Sequence, residues 1–222
     1  MKTQLSTLWY QLLVRNLKVK ICFALLQMGL LYQYCQTVTF SKQINIFNTF
    51  PANSPYFIFQ NLNWFLYYLV PLVTTIPVFK EFLLKQNVFV WIRKSDDQLP
   101  LLAVGLMGIM NAVLYNLYFW GFIWLFESDS ASLSFISELA LATTLSLFAS
   151  TILVLLLNML LRGIVGELLT IVLFLTILAL KINWLILITT PGNFLTLSAW
   201  LSLWIIGLGG LLGLVYRQVE LL

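Results

Sequence analysis

The chain reads as a series of long apolar runs, each closed by one or two charged residues. A helix needs about 20 largely apolar residues to cross a bilayer's hydrocarbon core. On that measure and on the placement of charges, six regions read as spans. The first is Ile21–Phe40, bracketed by Lys20 and Lys42 and carrying Gln27, Gln33 and Gln36. The second, Trp64–Phe79, stops at Lys80, and its prolines Pro71 and Pro77 predict a kinked helix. The third, Gln98–Phe126, has no charge between Asp97 and Glu127. With Asp97 as its N-cap, Pro100 falls in the first turn, where the missing N–H would be unpaired anyway. The fourth is Phe135–Leu161, with Glu138 near one end and Arg162 at the other. The fifth begins near Ile164, with Glu167 and Lys181 at opposite interfaces and Lys181 snorkelling outward. The sixth, Phe194–Tyr216, ends at Arg217.

Three segments fit no span. Leu5, Leu8, Trp9, Leu12 and Leu13 recur at helical spacing, which predicts a helix within residues 1–20 lying in the membrane surface. In Ser41–Asn63 and just beyond it, Tyr56, Phe57, Phe59, Trp64, Tyr67 and Tyr68 suit an outer interfacial belt. Ile182–Thr190 is too short to cross before Pro191-Gly192-Asn193, so 182–193 reads as a re-entrant or interfacial element that must hide its backbone against protein.

Composition agrees. The 222 residues are 61% hydrophobic and 9% charged, with mean hydropathy +0.95, against about 25% charged in soluble domains. With both termini inside, Lys2, Arg15, Lys18, Lys20, Lys80, Lys85, Arg93, Lys94, Arg162 and Arg217 fall on the cytoplasmic side. Only Lys42 and Lys181 fall outside. That is the positive-inside bias of a plasma-membrane protein. The pI of about 9.1 therefore reflects topology and not a nucleic-acid surface, because the basic residues form no continuous face. The expected fold is an all-α integral membrane protein of one domain, with six transmembrane helices and both termini cytoplasmic.

Candidate chemistry is sparse. There is no histidine, which removes His-dependent catalysis and His metal sites. No G-x-x-x-x-G-K-[ST] phosphate loop occurs, and Asp96, Asp97 and Asp129 all fall at interfaces. Neither catalytic residues nor a metal or cofactor is therefore expected in this chain. Cys22 and Cys35, thirteen residues apart on one helix, stand roughly 20 Å apart and cannot pair with each other. Gln27, Gln33, Gln36, Asn111, Asn116, Thr143, Ser146 and Ser150 lie within the spans, with Asn158 near an end. They either line a path for a polar or amphipathic cargo or hydrogen-bond neighbouring helices. Gly207, Gly209, Gly210 and Gly213 make a small-residue face that predicts close helix packing, within the chain or between chains.

The segment Phe79–Leu102 stands apart. It concentrates Lys80, Glu81, Lys85, Arg93, Lys94, Asp96 and Asp97 around an apolar patch, Val88-Phe89-Val90-Trp91-Ile92. Aromatic residues on a cytoplasmic loop are costly unless covered, which points to a partner. Surface helix, six spans, an acid just after the second span (Glu81), a charged loop over 80–97 and a short outer element before the last span together resemble the type-2 family of ABC export permeases. The layout match covers the whole chain, although the Gly-Thr pair that many members carry soon after the acid is absent here. The resemblance implies that the loop after the second span is a coupling helix seated in a cleft of a separate cytoplasmic ATPase, which holds the ATP and Mg²⁺. Glu81, Lys85, Val88, Phe89, Trp91, Ile92, Arg93 and Lys94 would make that contact, and the loop around Leu161–Glu167 a lesser one. It also implies a second permease copy or paralogue, membrane lipid as surroundings, and export of a peptide or lipid-like substrate, including in self-protection. The competing expectation is a non-transporting immunity or assembly factor that acts by binding within the bilayer.

Overall fold

A computed structural model of the chain describes residues 2–15, 17–37, 62–90, 99–126, 133–161, 164–179 and 194–220. All are helical or at helix ends: α1 (Lys2–Val14), α2 (Leu17–Thr37), α3 (Leu62–Val90), α4 (Leu99–Phe126), α5 (Leu133–Leu160), α6 (Ile164–Ala179) and α7 (Phe194–Glu220). Residues 41–61 of the polar stretch, with Tyr56, Phe57 and Phe59 of the expected belt, the expected outer turn at Glu127–Asp129 and the element at 182–193 lie outside the described residues.

Four of these helices, α3, α4, α5 and α7, contain windows long and apolar enough to cross a membrane. The windows are Phe65–Leu83, Pro100–Phe122, Ala140–Leu160 and Ser198–Arg217. The chain is thus a helical protein with the build of a multi-pass membrane protein. The first and fifth expected spans run on past the described residues, and their described parts alone do not reach that standard. Helix α2 dilutes its apolar run with Lys18, Lys20 and three glutamines, and α6 has only 16 residues, about 24 Å of helix against a core of about 30 Å.

Helix α5 is the hub, touching α3, α4, α6 and α7, while α1 and α2 each lie against α3 and α4. The windows of α3 and α5 are mostly buried inside the bundle, and that of α7 mostly faces outward. Leu117 on α4 and Trp200 and Ile206 on α7 expose 65%, 65% and 71% of their surface. Such a face suits hydrocarbon, where an exposed apolar side chain costs nothing.

Several boundaries move. The helix expected to close at Phe79 runs on unbroken to Val90, so residues 80–90 of the expected 80–97 loop continue that helix, and 91–97 lie outside the described residues. The helix also passes both prolines without interruption, and Thr75 Oγ1 donates to the Pro71 carbonyl at 2.6 Å between them. Pro100 sits in the first turn of α4, as its missing donor requires. The N-terminal segment is two helices and not one. After Arg15 the chain restarts as α2 at Leu17, so Lys18 and Lys20 belong to the second helix. Leu8 and Leu12 of α1 are buried in the core and Trp9 packs against it, whereas Leu13 is exposed. The apolar stripe of α1 is thus spent largely on protein, because α3 and α4 offer a complementary surface. Tyr67 and Tyr68, expected in an outer belt, are fully buried on α3.

Among the described residues, the glycine face of α7 makes no close packing contact except at Gly213. A Cβ at Gly207, Gly209 or Gly210 would meet nothing within 4 Å, and one at Gly213 would meet only a Leu101 methyl at 3.5 Å. The tight positions lie elsewhere. A Cβ at Gly108 would come 3.0 Å from the Phe148 ring, and one at Gly166 would come 2.9 Å from the Asn158 Cα. Backbone cannot step aside as a side chain can, so Gly166 sets the approach of α6 to α5. Gly166→Val is expected to cost about 1–3 kcal/mol in a denaturant titration of the protein in detergent micelles, while Gly207→Val stays near wild type.

Candidate functional site

Polar side chains within the apolar windows converge on one point. Asn116 of α4 accepts at Oδ1 from the Tyr67 hydroxyl of α3 at 2.7 Å and from Thr143 Oγ1 of α5 at 2.9 Å. Its Nδ2 donates to the Ala112 carbonyl at 3.0 Å. Trp120 Nε1 donates to Thr143 Oγ1 at 3.0 Å, and one helix turn along α5 the Ser146 hydroxyl shares a 2.6 Å hydrogen bond with the Tyr68 hydroxyl. Ser150 Oγ turns back to the Ser146 carbonyl at 2.8 Å. An Asn can accept twice at one oxygen while donating from its amide, so a single residue can tie three helices.

A second tie holds α2. Gln27 Nε2 donates to the Tyr115 oxygen at 2.6 Å, and that hydroxyl donates to Gln27 Oε1 at 2.9 Å. Tyr118 donates to the Ala24 carbonyl at 2.9 Å. Around these bonds the rings of Tyr67 and Phe119 meet edge-on with centroids 4.7 Å apart, and Phe119 and Trp120 do so at 5.5 Å. Each polar ring thus brings its apolar body to the core and its polar tip to a partner.

Of the residues expected to line a cargo path, Gln27, Asn116, Thr143, Ser146 and Ser150 are therefore buried and engaged with the chain itself. Asn111 is half-buried on α4. Gln33 and Gln36 are placed only as helical backbone of α2. The tyrosines that complete the network went unrecognised in sequence because an aromatic residue near a span's end reads as an interfacial anchor. Asn158 donates from Nδ2 to the Val154 carbonyl at 3.0 Å, and its Oδ1, beside Gly166, is a buried side-chain acceptor with no hydrogen-bond partner among the described residues.

The second feature is the charged end of the bundle. Glu81, near the end of the apolar part of α3, is ion-paired with Arg15 at the end of α1. Lys20 Nζ of α2 donates to the Leu12 carbonyl, one of the last carbonyls of α1 that lack an intrahelical donor. Burial pushes the Lys20 pKa down from the ordinary lysine range. The elbow between α1 and α2 is thus fastened to the start of the 80–90 segment. Of the expected partner-contacting residues, Glu81 belongs to this clasp, and Lys85, Val88 and Phe89 continue α3 as helical backbone. Trp91, Ile92, Arg93 and Lys94 lie outside the described residues. Among the described residues, no three His, Cys, Asp or Glu side chains gather as a metal ion would require.

No protein-family model, curated protein or solved structure matches the chain.

Two measurements test the network and the clasp. Asn116→Leu removes the acceptor that Tyr67 and Thr143 share, though Thr143 keeps the Ala140 carbonyl at 3.1 Å, and is expected to lower stability in micelles by about 1–2 kcal/mol, whereas Asn111→Leu leaves it nearly unchanged. Both members of the Arg15–Glu81 pair are partly exposed, so Glu81→Gln costs less than about 1 kcal/mol. Glu81→Arg is expected to loosen the elbow in hydrogen exchange of the α1–α2 junction, and Arg15→Glu in the same chain to restore protection.

Proposed function

We propose that this chain is the membrane-spanning subunit of a bacterial ABC exporter. In this reading α2 and α6 also cross the plasma membrane, giving six spans with both termini in the cytoplasm. A separate ATPase grips the segment that prolongs α3 and supplies the energy for moving a peptide or lipid-like substrate. A second permease copy or a paralogue completes the path.

The observation that supports this reading best is the unbroken course of α3. It runs from the polar network at Tyr67 and Tyr68, through the clasp at Glu81, to the apolar segment at Val88–Val90. A rigid helix of 29 residues can carry a displacement at its end to the centre of the bundle, as a stroke delivered by a partner would require. Charge supports the orientation. Arg15 pairs with Glu81 at the α3 end that carries Lys80, Lys20 bonds the end of α1 beside it, and Gly213, one turn before Arg217, lies beside Leu101 near the start of α4. One end of the bundle thus gathers Arg15, Lys20, Lys80 and Arg217, as a cytoplasmic face does.

One observation favours the other reading, a non-transporting immunity or assembly factor that binds within the bilayer. The intramembrane polar residues are occupied by bonds to one another and leave little to greet a cargo.

Copurification separates the two. With the exporter reading, the chain recovers a soluble ATPase whose hydrolysis depends on it. Phe89→Ala with Trp91→Ala abolishes that association while membrane insertion is unchanged. A double variant that binds and transports normally refutes the coupling assignment, and labelling of residues 85–94 by an impermeant reagent on intact cells refutes the orientation.

A further inference from the structure

A cavity of about 340 Å³ opens between α3, α4, α5 and α7, lined by Phe79, Leu101, Gly105, Leu155 and Gly209 among others; its one polar lining residue, Thr151, donates its hydroxyl to the Leu147 carbonyl at 2.8 Å. Its volume falls at the lower end of the range of about 300–1,000 Å³ for small-molecule sites. All four walls come from the windows long and apolar enough to cross a membrane, so the cavity lies at hydrocarbon depth. Glycines make the slot. At Gly105 and Gly209 a Cβ would meet nothing within 4 Å, so the missing side chains are the empty space itself. Water has little to bond to on such a lining and would not fill it.

Two cations, neither of them lining the cavity, lie near its charged end. Lys80 follows the lining residue Phe79 and is half-buried. Arg217 is exposed on α7 one turn beyond Gly213, on the same side of the helix, and Gly213 adjoins the lining residue Leu101. Of the carboxylates at this end, Glu81 is ion-paired with Arg15, and Glu220 follows Arg217 by three residues on α7. An apolar slot at hydrocarbon depth, ending near two cations at the charged end of the bundle, matches one kind of molecule in both parts. We infer that this groove is a specific site for an anionic glycerophospholipid, with an acyl chain held between α4, α5 and α7 and the headgroup phosphate met by Lys80 and Arg217. The site needs neither an ATPase nor transport, so it stands or falls separately from the function proposed above.

The test uses the full chain purified in mild detergent and loaded with phosphatidylglycerol or phosphatidylcholine, with bound lipid counted by native mass spectrometry. Wild type is expected to retain one phosphatidylglycerol in preference to phosphatidylcholine. Gly105→Leu with Gly209→Leu fills the slot without striking the backbone and is expected to lose that lipid. Gly207→Leu, an equal addition on the same helix outside the lining, is expected to keep it. Lys80→Gln and Arg217→Gln are each expected to reduce the preference for phosphatidylglycerol about fivefold. A slot-filled variant that still retains the lipid, or charge variants with unchanged preference, would mean that only ordinary surrounding lipid is bound. A second measurement needs no variant: phosphatidylglycerol with a diazirine in its acyl chain is expected to label Ile152 and Leu155, which are buried and reached from within the slot. Labelling confined to outward positions such as Leu114 and Leu117 overturns the assignment.

Discussion

A polar side chain inside a bundle of apolar helices has no water to turn to, and the arrangement around Asn116 follows from that constraint. Its amide joins α3, α4 and α5 through Tyr67 and Thr143, and Trp120 reinforces the same point. In water such bonds trade against solvent and contribute little. Between apolar helices, dispersion alone does not choose among helix pairings, because lipid tails are as apolar as leucine. A few hydrogen bonds between particular residues therefore fix which helices are neighbours and in what rotation. Once α3, α4 and α5 are registered in this way, the placement of α7 on α5 and of α2 on α4 is narrowed to the faces still open.

That registration gives the bundle a polarity. The network sits on the first half of α3, toward the end opposite the charges, and the Arg15–Glu81 pair and the Lys20 contact sit at the other. Between them α3 has neither a polar gap nor a break, even at Pro71 and Pro77. The prolines remove the donors to the Tyr67 and Val73 carbonyls, while the Thr74 and Thr75 hydroxyls bond the Val70 and Pro71 carbonyls between them, and the helix holds through both. Helix α3, which continues past Glu81 to Val90, is thus tied to the network at Tyr67 and Tyr68. A partner there would act on the core, and a lipid in the groove beside Phe79 would touch the same helix.

Glycine placement shows how differently one residue type can serve. Gly166 lets α6 approach Asn158 more closely than a side chain would allow. Gly105 and Gly209 instead leave room that no protein atom fills. The G-x-x-x-G spacing of Gly209 and Gly213 does not distinguish these uses, because spacing fixes only that both lie on one face of a helix. What faces them is decided by the other helices.

The sequence alone determined the broad character of the protein. Runs of apolar residues with charges at their ends can be satisfied only as helices in an apolar solvent, and the starts of α4, α6 and α7 were legible within a residue from Pro100, Ile164 and Phe194. It also marked Gln27, Asn116 and Thr143 as unusual, since a polar residue in such a run must find a partner. Tertiary structure decided who the partners are. That Tyr67 and Tyr68 face the core, that Arg15 reaches Glu81, and that α3 continues to Val90 depend on contacts between segments far apart in the chain. Hydropathy averages over a helix and carries no information about its rotation. Rotation is set by the few hydrogen bonds and close glycine contacts that form only when the helices meet.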